Sequence, residues 1–249
     1  MTNCTNCQAP LEAEAKFCTS CGTKTSDTGE IAAASTTTEA AQNAYLEQSK
    51  EVGKQYFSFA KSALKHPYQF SAHLGQNNMI NGLISMILYS ILLPLFLYNV
   101  LRKMSMGFMP LSFSDIVFMP AIVSIIMLLI LAAIMLGVAK LMKVEVNYKT
   151  IIARFGAFMT IPTAILIVAN ILILVSIITF SVLLVILASL GYFVAIAVTI
   201  FSLHRENNGG LDTFYGIFLT YVALGFLSYL VSESILTDLV ERMTFMNFF

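Results

Sequence analysis

Four thiols lie near the start of the chain: Cys4 and Cys7 form one Cys-x-x-Cys pair and Cys18 and Cys21 a second, ten residues further on. Two intervening residues let a tight turn aim both sulfurs at one point. Two such turns facing each other make a tetrahedral cage of four thiolates, the donor set of a structural zinc site, with Zn–S distances of about 2.3 Å. A full set leaves no open position for catalysis. The segment offers little apolar bulk besides Leu11 and Phe17, too little for a hydrophobic core. Zn²⁺ would therefore supply the folding free energy, on the order of 10 kcal/mol, and Lys16 and Lys24 are placed to offset the negative charge of the thiolates. Iron in the same cage and a thiol redox switch are the alternatives. Two disulfides suit only an oxidising compartment.

The elements that carry this cage are of another kind. Of the 249 residues 57% are hydrophobic and 11% charged, with no net charge, whereas a soluble domain is about 25% charged. Lys and Arg gather before the first apolar run and between the second and third, and the runs hold none. This pattern indicates an integral membrane protein and gives no case for a nucleic-acid partner. The N-terminus lacks a charged segment followed by an apolar one, so no secretory leader is expected.

Residues 26–43 are rich in Ser, Thr and Ala, with one large aliphatic, Ile31; such a segment reads as a flexible linker after a zinc-binding domain at 1–25. From 44 to 66 an amphipathic helix is expected. At 100° per residue Lys50, Lys54, Lys61 and Lys65 share one edge, and Val52, Tyr56, Phe59 and Ala63 lie opposite. A lysine edge suits an anionic membrane surface; a solvated face on a helix packed against protein is the plainer reading. Pro67 ends the helix.

Residues 80–101, 116–139 and 213–232 are uncharged and long enough to cross a hydrocarbon core of about 30 Å. Phe155 to Leu203 is a run of 49 residues without a charge. As one helix it would measure about 74 Å, so it must fold back. Ser176, Thr179 and Ser181 are the polar cluster near its middle, which gives spans at 157–177 and 182–203. The tail, 233–249, carries Ile235, Leu236, Leu239, Val240 and Met243 at helical spacing and either extends the last span or lies at the surface. Seven Lys and Arg near the span ends fall on the side of the N-terminus (Lys61, Lys65, Lys140, Lys143, Lys149, Arg154, Arg205) and three on the other (Arg102, Lys103, Arg242). The excess puts the N-terminus in the cytoplasm and the C-terminus outside it, in the cell membrane. Reducing cytosol also favours metal over disulfides.

Two resemblances follow. "AKFCTSCGTK", with Phe17, Cys18, Cys21 and Gly22, resembles the second knuckle of the short N-terminal zinc ribbons of many bacterial membrane proteins; Gln8 stands where such ribbons often carry Gly. Five spans, a cytosolic N-terminal region and a Pro shortly before the first span resemble the Yip family of five-span membrane proteins, some of whose bacterial relatives bear ribbons. That likeness implies a membrane-organising or regulatory role without catalysis.

Ionisable groups at mid-membrane depth mark pumps and intramembrane enzymes, and the expected spans hold none: His66 and His73 precede the first and His204 follows the fourth. Catalysis is not expected. Asn170, Asn99 and Tyr89 are the polar candidates for a permeation path, with cross-helix hydrogen bonding the plainer role for Asn170. Pro94 sits inside the first span and can kink it, and Pro120 and Pro162 read as opening-turn prolines. Gly137, Gly156, Gly191, Gly216 and Gly225 would permit close helix contacts. Met104, Met106 and Met109 are soft enough for Cu(I), though interfacial packing explains them more simply.

The sequence thus describes an all-α integral membrane protein of five transmembrane helices with a small N-terminal zinc ribbon. Cys4, Cys7, Cys18 and Cys21 are the expected metal ligands, and the lipid bilayer and a cytosolic or membrane protein the expected partners. The first functional expectation is a non-enzymatic protein whose ribbon recruits or senses a partner. The alternative is a transport component whose bundle forms a solute path and whose ribbon is regulatory.

Overall fold

The computed structural model describes residues 2–3, 10–11, 49–105, 112–203 and 209–246, with backbone alone for the two N-terminal pairs and for 232–246. The chain divides into two compact units, Met1–Lys54 and Gln55–Phe249. In the first, β1 (Thr2–Asn3) pairs antiparallel with β2 (Pro10–Leu11), Thr2 opposite Leu11 and Asn3 opposite Pro10.

The described helices are α1 (residues 49–65), α2 (Pro67–Ala72), α3 (Met79–Met104), α4 (Met119–Leu141), α5 (Tyr148–Leu174), α6 (Ile178–Phe201) and α7 (Thr213–Met246). A single turn of π-helix, Ser114–Phe118, leads into α4, and Pro120 occupies the first turn of that helix, where its missing N–H costs nothing. Pro67 likewise opens α2. Five segments are long and apolar enough to cross a membrane: Gln76–Met104, Ser114–Leu141, Tyr148–Leu174, Ile178–Phe201 and Thr213–Val231. The last helix continues to Met246, so residues of the expected tail prolong it.

Helix α5 is the axis of the second unit, packing against α2, α3, α4 and α6, while α7 rests on α4 and α6. Ile151, Ile152, Phe155, Met159 and Leu166 of α5 are fully buried, meeting a core that includes Met86, Leu131, Met135, Ile196 and Ile200, and Ile173 is buried beside Phe96 and Ala169. The outside is as apolar as the inside: Ile126 and Ile130 on α4, and Leu183, Ile186, Leu187 and Leu190 on α6, are exposed. Contiguous apolar surface of this extent is foreign to a water-soluble monomer. It is the expected face of a helix bundle solvated by lipid.

The uncharged run from Phe155 to Leu203 reverses at Val175–Ile177, between α5 and α6. Ser176 takes the left-handed conformation there, φ 68°, normally reserved for glycine. Lys103, near the end of α3, holds the reversal by donating to the Leu174 carbonyl (3.3 Å) and to Ser176 Oγ (2.6 Å). Pro162 departs from expectation. Because α5 begins at Tyr148 and includes Lys149 and Arg154, Pro162 lies inside the helix rather than in its first turn.

Candidate functional site

Cys4, Cys7, Cys18 and Cys21 lie outside the described residues, as do the expected linker at 26–43 and the side chains of the tail. The neighbours of the first pair are described. Asn3 and Pro10, on either side of the first thiol pair in the sequence, are paired in the ladder of β1 and β2. The four soft thiolates are a donor set suited to Zn²⁺. The residues present therefore fit the metal. Among the described residues no group of three His, Cys, Asp or Glu could hold a metal ion.

Helix α1 is amphipathic in the expected sense. Lys50, Lys54, Lys61 and Lys65 are exposed, Phe59 and Ala63 buried, Val52 and Tyr56 half-buried. From Gln55 onward the apolar face is covered by protein: Phe59 packs with Leu74, Ala153 and Ala157, and its ring meets Phe70 edge-on at 5.5 Å. The lysine edge stays outside. Arg154, from the second turn of α5, ties this collar down by donating to the carbonyls of Leu74 (3.2 Å) and Ser202 (2.9 Å).

The tightest place in the bundle is the crossing of α3 and α5. A Cβ added to Gly82 would overlap the Ile152 carbonyl oxygen and lie 2.9 Å from Ala153 Cα; one added to Gly156 would overlap the backbone of Gly82. Backbone meets backbone here, as small residues permit in lipid-solvated helix pairs. Four hydroxyls meet around the crossing. Ser85 Oγ is 3.2 Å from both Thr160 Oγ1 and Tyr56 OH, and Thr163 Oγ1 donates to the Ser85 carbonyl at 3.4 Å. Tyr56 thus carries the network from the α3–α5 crossing to α1. Burial raises its pKa above the ordinary phenol value, opposed by the Ser85 hydrogen bond, so it remains a neutral phenol at physiological pH.

The sequence pointed to Gly156 but not to Gly82, Ser85, Thr160 or Thr163. Glycine and small hydroxyl residues three or four apart within a span were the available signal; which two helices they join was not.

Asn170 Nδ2 donates across to the Leu92 carbonyl of α3 at 3.0 Å and to Leu166 of its own helix at 2.9 Å. Pro94, buried inside α3, follows Leu92 by two residues. Tyr89 stacks on Tyr192 of α6 with ring centroids 5.8 Å apart, and Asn99 is half-buried. Among the described residues no hydrogen bond or ring contact joins Asn170, Asn99 and Tyr89. Met104 is exposed, and Met106 and Met109, like His204, lie outside the described residues.

A segment able to hold four-thiolate zinc, followed by an all-helical unit with five helices long and apolar enough to cross a membrane, defines the class. Residues 3–25 match the zinc-ribbon domain family. Over 198 residues the chain is 32% identical to the protein titled Uncharacterized protein YvbI of Bacillus subtilis (strain 168), an alignment covering 79% of this chain and 83% of that one. The chain belongs to the family of that protein. No solved structure matches it.

Proposed function

We propose that this is a non-enzymatic multi-pass membrane protein that recruits or senses a protein partner through its N-terminal zinc ribbon. Zinc held by Cys4, Cys7, Cys18 and Cys21 folds the ribbon, and the loops between the cysteines make the contact. A closed four-thiolate site supplies rigidity rather than reactivity. The single observation carrying this reading is the zinc-ribbon match at residues 3–25, ahead of five membrane-length helices.

The ribbon works in the cytoplasm and the C-terminus lies outside it. Seven Lys and Arg against three support that orientation. Among them Lys61, Lys65, Lys140, Lys143 and Lys149 are exposed. The five-span arrangement resembles that of the Yip family and supports a membrane-organising role. From Gln55 onward, helix α1 is clamped to the bundle by Phe59 and by the Tyr56–Ser85 hydrogen bond. The test is crosslinking in cells with the full chain and with a chain lacking residues 1–25. The reading expects a protein adduct that disappears with those residues; identical adducts from both chains contradict it.

A further inference from the structure

A groove of about 280 Å³ runs along the outside of α5 and α6, and its lining includes Pro162 of α5, Gly191, Val194 and Val198 of α6, and Pro67 and Tyr68 of α2 at one end. Its origin is the absent side chain at Gly191. A Cβ there would sit 3.4 Å from Pro162 Cβ, so the proline ring itself is the floor. From Gly191 to Val198 the groove follows the helix axis for about 10 Å. It starts at the end of the bundle where α5 begins and α6 ends, with the Tyr68 ring 6.1 Å from Phe201, and runs toward mid-span.

The two ends differ in chemistry. Along its length the slot offers aliphatic side chains and a proline. A peptide laid there would leave its backbone N–H groups unpaired, which a hydrocarbon surrounding makes costly; an alkyl chain has nothing to satisfy. At the mouth, Lys65 and His66 directly precede Pro67, and Lys61 stands one turn earlier on the same edge, all three exposed. Half a bilayer core is about 15 Å deep, so the slot takes most of the length of one acyl chain entering from the headgroup level.

From this juxtaposition we infer a binding site for an anionic phospholipid: one acyl chain lying over Pro162 and Gly191 and against Val194 and Val198, the headgroup phosphate at Lys61 and Lys65. The inference rests on the reading of the five helices as membrane spans. It assigns the exposed lysines a ligand rather than a diffuse surface attraction, and gives α2, a helix of six residues, the task of flanking the mouth of the slot with Pro67 and Tyr68.

The experiment uses the full chain in nanodiscs containing phosphatidylglycerol or phosphatidylcholine with a diazirine at mid-acyl depth, followed by peptide mapping of the crosslinks. Expected is phosphatidylglycerol label concentrated on the peptides carrying Ile161 and Val194. It should exceed several-fold the label on Ile126 and Ile130, which face lipid without a groove. Unlabelled phosphatidylglycerol should displace it better than phosphatidylcholine by about 30-fold, the contribution of two lysines near an anionic headgroup. Lys61→Gln with Lys65→Gln should abolish that preference while leaving the label in the slot. Gly191→Leu should empty the slot, and Val194→Phe, at a 59% exposed position outside the α5–α6 contact, should do the same without straining the helix pair. Equal labelling by the two lipids, or slot labelling unchanged by Val194→Phe, overturns the proposal. Failure of the wild-type chain to enter nanodiscs overturns the membrane reading and the lipid site with it.

Discussion

Replacing Gly156 by Ala adds one methyl group where α3 and α5 touch. In an ordinary helix interior that change stabilises by about 0.5–1 kcal/mol, because glycine loses more backbone freedom on folding. Here the new Cβ would overlap the Gly82 carbonyl and Cα, which are backbone atoms of a packed helix and cannot swing aside. The helices must separate, and overpacking of that kind costs about 1–3 kcal/mol. Separation also stretches the Ser85–Thr160 contact, already 3.2 Å, and the Thr163–Ser85 contact, already 3.4 Å, each worth about 0.6 kcal/mol between membrane helices. The net loss is about 2 kcal/mol, a fall in Tm of about 4–8 °C on the scale of chains this size. Thermal unfolding of the purified protein in detergent measures it, with Gly137→Ala as control, since nothing lies within 4 Å of a Cβ at Gly137. If Gly156→Ala melts at or above the wild-type temperature, as Gly137→Ala should, the backbone contact at the crossing is refuted.

Tyr56→Phe removes the hydroxyl reaching Ser85 and should cost about 1 kcal/mol. Because burial raises the Tyr56 pKa in the folded chain, the stability linked to its protonated form is fully present below about pH 10 and is lost as pH rises through the folded value; in alkaline unfolding curves the variant should lose part of the wild-type decline, and identical slopes would count against the buried bond. Asn170→Cys, in a chain whose four native cysteines are replaced by serine, should resist a membrane-impermeant maleimide, because position 170 is buried where α5 meets α3; rapid labelling would reveal a water path and favour solute transport. Reporter fusions should find the two chain ends on opposite sides of the membrane, and the same side for both would break the orientation.

Sequence and structure part company at identifiable places. The fold-back within Phe155–Leu203 followed from length alone, since no single helix of 49 residues fits a bilayer. What holds the reversal did not: Lys103 is 73 residues from Ser176, and nothing local announces the pair. Hydropathy finds where lipid begins, not where a helix begins. Tyr148 to Arg154 is polar at three positions yet fully helical, which carries Pro162 from an opening turn to the interior of α5. The edge of α1 was legible because a period of 3.6 residues separates four lysines from Phe59 and Ala63. That its inner face would meet Ala153 and Ala157 was not, because small residues give no directional signal. Gly82 and Gly156 gain meaning only as a pair. The four-thiol spacing is itself the chemistry of the ribbon, so that feature needed no tertiary information.

The central claim, that the four cysteines hold a structural zinc ion at the head of a membrane-spanning bundle, is tested most directly by the zinc-to-protein ratio of the full chain purified from membranes, compared with Cys18→Ser plus Cys21→Ser. The account predicts about one zinc per wild-type chain and none in the double variant, with equal amounts of both proteins in the membrane fraction. A wild-type chain without zinc, or a ratio the double substitution leaves unchanged, would contradict it.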